Sequence, residues 1–255
     1  MNSTTVRSLL VRGMLAGLVA GLLALLTAYF LGESHVDSAI AFEEAHSAHH
    51  GMDMEPELVS RSLQSTAGLA TGILLFAVAM GGVASLAFCF ALGRIGRFGA
   101  RATAIVLSLG ALVTVYLVPF VKYPANPPSV GDPDTIGKRT VLYFLMLLLA
   151  VLLAVAAVIV GKRLVPRLGT WYAAVAAGAG FVLAVGLAYA LLPAVDEVPE
   201  EFPATLLWQF RLAALAIQLV LWTSFGLVFG ELAERVLKPR PATAQAPARA
   251  TAAVQ

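Results

Sequence analysis

The chain has 255 residues, 59% of them hydrophobic and only 13% charged, with a mean hydropathy of +0.85. A soluble domain typically carries about 25% charged residues, so the composition excludes an ordinary water-soluble globule. The one cysteine, Cys89, excludes an intrachain disulfide. It lies in the apolar run Ala84 to Leu92 and reads as a small buried hydrophobe, because a thiolate in hydrocarbon is costly.

A helix needs about 20 apolar residues to cross the hydrocarbon core of a bilayer. Six runs free of Asp, Glu, Lys, Arg and His meet that need: Gly13–Leu31, Ser65–Leu92, Ala102–Val121, Val141–Val160, Trp171–Leu192 and Leu212–Gly230. None alternates apolar and polar residues as a transmembrane strand does. The pattern predicts an all-α, polytopic integral membrane bundle of six transmembrane helices over residues 1–237. An Ala- and Pro-rich tail at 238–255 is expected to be disordered. The first run follows Arg7 and Arg12, as a signal peptide would, but its 19 apolar residues exceed the about 7–15 of a signal core. It is expected to be a retained helix.

Lys and Arg in short loops set orientation. Twelve basic residues fall on one face: Arg7, Arg12, Arg94, Arg97, Arg101, Lys162, Arg163, Arg167, Arg235, Lys238, Arg240 and Arg249. Five fall on the other: Arg61, Lys122, Lys138, Arg139 and Arg211. The richer face is expected in the cytoplasm, which predicts an N-in/C-in topology with residues 33–64, 122–140 and 194–211 outside. Gly13, Gly17 and Gly21 form successive GxxxG steps, and Gly68 with Gly72 and Gly226 with Gly230 repeat the spacing. Such steps let helix backbones approach in lipid and call for no chemistry beyond packing. Six spans also allow two inverted halves of three, but no residue-level repeat supports that division.

Thirteen of the 15 acidic residues fall on the predicted outer face. They are Glu33, Asp37, Glu43, Glu44, Asp53, Glu55 and Glu57 in the first loop, Asp132 and Asp134 in the third, and Asp196, Glu197, Glu200 and Glu201 in the fifth. A mouth of that charge concentrates cations; the plain alternative is a solvated surface. All four histidines, His35, His46, His49 and His50, share the first loop. Within HSAHHGMDM, the i, i+3, i+4 spacing puts His46, His49 and His50 on one side of a helical turn, or lets them converge in a flexible loop. Imidazole suits Co, Ni, Zn and Cu, and Met52 and Met54 offer soft thioethers beside Asp53. The segment lacks the fixed spacing of a structural zinc site. It is expected to act as a mobile capture arm, with His35, His46, His49, His50 and Asp53 as metal ligands.

The third loop, KYPANPPSVGDPDTIGKR, carries Pro124, Pro127, Pro128 and Pro133, which stiffen it and resist helix. Asn126, Asp132 and Asp134 supply oxygen ligands there, although Gly131-Asp132-Pro133 is also ordinary turn chemistry. The fifth loop repeats the style with Asp196, Glu197, Pro199 and Pro203, then Trp208 at the interface. Asn126, Asp132, Asp134, Asp196 and Glu197 are therefore the expected lining of a transport entrance. The six apolar cores hold no ionisable residue, whereas ion pathways usually do. The outer loops or a partner would have to complete a path.

At these loops the sequence resembles the CbtA family of predicted cobalt transporter subunits, from about Arg7 to Leu237. The stretches that carry the likeness are RGMLAGLVAGLLAL, GESHVDSAIAFEEA, YPANPPSVGDPDTIGKRT and LLPAVDEVPEEFPATLLWQFRLA. The resemblance implies cobalt uptake in the bacterial inner membrane, beside a small single-helix CbtB-like subunit with a histidine-rich end. The HSAHHGMDM segment is not among these stretches, and its metal chemistry rests on its own residues. The expected cargo is Co2+, with Ni2+ or another divalent metal as the alternative. No permanently bound cofactor and no nucleic-acid partner are expected. A metal-binding scaffold or sensor that moves nothing is the competing reading. A membrane enzyme is disfavoured, since no HExxH, GxSxG or Walker A motif occurs and the histidines do not spread over several segments.

Overall fold

A computed structural model of the chain describes residues 2–50, 59–128, 130–131 and 134–238. Every regular element among the described residues is helical. Helix α1 (Ser3–Thr27) starts at Asn2, whose side chain accepts a hydrogen bond from the Thr5 amide at 3.0 Å. That bond satisfies one of the amides a helix start leaves unpaired. The helix does not stop where the apolar run ends. A π-helical turn, Ala28–Gly32, carries it into α2 (Glu33–His50). The rest of the HSAHHGMDM segment, from Gly51, lies outside the described residues, and residues 33–50 of the expected first loop are a helical extension of the first span. Its composition allows this: Ala, Glu and His dominate, and no Gly or Pro interrupts residues 33–50.

After the short turn α3 (Arg61–Leu63) and a second π turn, Gln64–Gly68, α4 (Leu69–Ala91) returns across the bundle. Helix α5 (Ala100–Ala111), a third π segment, Leu112–Leu117, and α6 (Val118–Lys122) form the next crossing. Helix α7 runs Ile136–Leu191 and α8 runs Ala204–Leu237. Among the described residues, five helices are long and apolar enough to cross a membrane: Ser3–Ala45, Arg61–Ala91, Ala100–Lys122, Ile136–Leu191 and Ala204–Leu237. The fourth, at 56 residues, far exceeds one crossing. It is broken at Gly169, where φ is 73° and ψ 168°, a conformation that residues with a Cβ avoid. Its two arms fold back on each other: Leu142, Met146 and Ala150 share a core with Val185, and Gly161 faces Ala177.

Two cores result. Helices α1, α4, α5 and α8 enclose the larger, built from Leu9, Ala16, Ala20, Ala24, Ala77, Phe88, Ala104, Leu221, Trp222, Phe225 and Phe229. Small residues make it close. A Cβ on Gly17 would sit 2.3 Å from the Ala77 carbonyl oxygen, and one on Gly81 would sit 2.4 Å from that of Gly13. Gly226 and Gly230 do the same job against Ser108 and Ala104 of α5. The Gly68 and Gly72 spacing does not: a Cβ on Gly72 would meet nothing within 4 Å. Spacing alone could not tell an interface from a face turned to lipid. The smaller core joins the α7 hairpin to Val118 and Tyr123.

Candidate functional site

At one end of the bundle, α2 meets the third loop at Val130 and the fifth at Phe202. Phe202 is buried against Ala39 of α2 and Val130 of the third loop, with Phe42, Val198, Leu206 and Leu207 around it. The rings of Phe42 and Phe202 stand edge to face with centroids 5.2 Å apart, a geometry aromatic pairs prefer. This cluster gathers the three acid-bearing segments into a single cap. Arg61 closes it from the far side, donating from Nε to Asp37 Oδ1 at 2.9 Å and from Nη2 to Glu33 Oε2. Glu33 and Asp37 lie one helical turn apart on α2, so a single guanidinium reaches both.

The Pro-rich third loop has few ways to hold itself, since proline gives no amide donor. Its backbone carbonyls are instead held by basic side chains from neighbouring helices. Arg139, in the first turn of α7, donates from Nη2 to Pro124 O at 2.7 Å and from Nη1 to Glu197 Oε2 at 2.8 Å. Thr135 donates its hydroxyl to the other oxygen of Glu197. Arg211 of α8 donates from Nε to Ala125 O at 3.2 Å and from Nη2 to Asn126 Oδ1 at 3.0 Å. Lys122 donates to Tyr189 O at 2.9 Å, and the Tyr123 hydroxyl to Pro193 O at 2.8 Å. Burial pushes the Tyr123 phenol up from its ordinary value, which keeps it a neutral donor.

The expected entrance residues thus divide. Asn126 and Glu197 are in this network, and the Glu197 side chain is only 3% exposed and paired with Arg139. A carboxylate so enclosed needs its counter-charge. Asp196 is exposed, accepts from the Val198 amide at 3.4 Å, and interacts electrostatically with Arg211. Asp134 is exposed in the turn before α7. Asp132 lies outside the described residues, as does Asp53. His35 is half-buried on α2, and His46, His49 and His50 occupy positions in its last turns. Among the described residues, no group of three or more His, Cys, Asp and Glu is arranged to hold a metal ion. The residues that sequence reasoning missed are Arg139, Arg211 and Phe202. Composition counts the two arginines as topological charge, and nothing in it shows that they hold the third loop.

The opposite end is organised differently. Its two acids are both paired: Glu231 with Arg101 at 2.6 Å and Arg235 at 2.8 Å, and Glu234 with Lys238 at 3.8 Å. The exposed acids Glu43, Glu44, Asp134, Asp196, Glu200 and Glu201 all lie at the capped end. Residues 6–234 match the family model described as probable cobalt transporter subunit (CbtA). The chain belongs to the CbtA family. No curated protein and no solved structure was found to match it. As a CbtA protein with five helices able to cross a membrane, it is a multi-pass membrane protein of cobalt transport, a subunit and so one part of a complex. The family is a transporter family and not an enzyme class.

Proposed function

We propose that this CbtA protein is the membrane subunit for uptake of a divalent transition-metal cation, Co2+ first, through an acidic outer cap. The observation that supports this best is the convergence of α2 and the third and fifth loops on Phe202. It brings acids from three distant stretches of chain to one end of the bundle, where their summed field draws cations. The capped end faces outside, across a bacterial inner membrane, because twelve of the 17 basic residues belong to the other face. The bundle makes six crossings, the two arms that meet at Gly169 counting as one each, and both termini are cytoplasmic. Asn126, Asp132, Asp134, Asp196 and Glu197 line the entrance, and His35, His46, His49, His50 and Asp53 capture the ion at low concentration. A small, histidine-rich, single-helix CbtB-like subunit is the partner. The test is uptake of radiolabelled cobalt, with nickel as competitor, into cells expressing this chain with and without that partner. Cobalt accumulation above empty cells supports transport. Binding to the membranes without accumulation in either case would make the chain a metal-binding scaffold instead.

A further inference from the structure

The joint between the α7 hairpin and the rest of the bundle contains a pocket of about 390 Å³, within the about 300–1,000 Å³ range of small-molecule sites. Its walls are the end of the third crossing and the first turns of the fourth. Tyr116, Phe120, Tyr123, Tyr143 and Phe144 supply five rings, and Arg139 stands among them. Tyr116 and Phe120 stack at 5.2 Å. The pocket is open at the side: Ile136 and Phe144, one above the other on α7, are 65% and 61% exposed. Walls made from span ends place it where headgroups meet acyl chains, the depth at which Tyr is favoured. A lateral opening at that depth faces the bilayer, so the occupant comes from the bilayer.

We propose that the pocket holds one phospholipid, with an acyl chain against the rings and the phosphodiester on Arg139. Arg139 uses Nη1 on Glu197 and Nη2 on Pro124 O. Its guanidinium has five N–H groups in all, so donors remain for a phosphate oxygen. Glu197 offsets the charge of Arg139, so the site reads the phosphodiester common to phospholipids and does not discriminate by the net charge of the headgroup. The lipid sits beside Val118 and Tyr123, which pack into the core of the hairpin. Filling the gap would add packing across the joint between the hairpin and the third crossing. This inference rests on the membrane assignment alone and is independent of the cargo.

The full chain is purified in detergent, stripped of bulk lipid by washing, and weighed intact by native mass spectrometry. One phospholipid per chain is expected to remain, and Thr140→Trp, which fills the pocket from an exposed position on α7, should lose it while keeping its helix content. Phosphatidylglycerol and phosphatidylcholine should restore the bound mass equally, and diacylglycerol should not. A photo-crosslinker replacing Phe144 should capture phospholipid after washing, whereas one replacing Leu183, 75% exposed on the second arm, should not. Equal lipid on the wild type and Thr140→Trp would overturn the site, and diacylglycerol binding as well as phospholipid would overturn the role of Arg139. Capture of protein at position 144 would make the pocket an interface between chains.

Discussion

Arg139 Nη1 lies 2.8 Å from Glu197 Oε2, joining residues 58 positions apart, and the same guanidinium holds the Pro124 carbonyl. One side chain therefore ties the first turn of α7 to both the third and fifth loops. Replacing Glu197 by Gln removes the counter-charge of a largely buried guanidinium, and breaking such a pair costs about 3–5 kcal/mol. We expect Glu197→Gln and Arg139→Gln each to lower the thermal midpoint in detergent. The double variant should cost clearly less than the two singles added, because neither partner is then left alone. Additive losses would mean that the pair is not coupled.

Phe202 is the second fastener. Truncating a buried Phe costs about 3–5 kcal/mol in a full core, and this three-residue cluster stands at the low end of that range. Phe202→Ala should release α2 from the fifth loop without unfolding the bundle. Spin labels at positions 43 and 200 should then show a broadened distance distribution, while labels within α1 and α4 keep theirs. An unchanged distribution would mean that Arg61 alone holds α2 in place.

Capture and passage predict different kinetics. Changing His46, His49 and His50 to Ala should raise the cobalt concentration for half-maximal uptake and leave the maximum unaltered. Metal competes with protons for imidazole, so the wild-type advantage should fade as the medium is acidified. Asp132→Asn with Asp134→Asn should instead cut the maximum at saturating metal, with the protein level in the membrane shown unchanged. Normal maximal uptake in that double variant would confine these carboxylates to the turn.

Helix contact by small residues gives a paired test. Gly17→Val places methyl groups where the Ala77 carbonyl already stands, 2.3 Å from an ideal Cβ. Overpacking of this kind costs about 1–3 kcal/mol or more, and the yield of folded protein should fall. Gly72→Ala, with nothing within 4 Å of its Cβ, should be neutral or slightly stabilising. Equal loss from both would show that Gly72 packs against a partner.

The amino-acid sequence by itself determined the class of fold. Runs of about 20 apolar residues have one stable solution in a bilayer, because each backbone amide must be paired within its own helix. The break between two of these runs was legible too, in the basic residues Lys162, Arg163 and Arg167 that separate them, and so was the family, from loop strings that packing alone does not dictate. The tertiary structure decided what local signals could not. Residues 33–50 of the acidic first loop form a helix because nothing in them stops one and Phe202 gives Ala39 and Phe42 a surface to bury against. Arg139 and Arg211 changed from topological charges into supports for a proline-rich loop, because the carbonyls they hold are brought near only when α7 and α8 are in place. The exposed acids at the cap and the buried one, Glu197, look alike in sequence. Only burial separates them, since a carboxylate out of water must have a partner, and that partner comes from a residue 58 positions away.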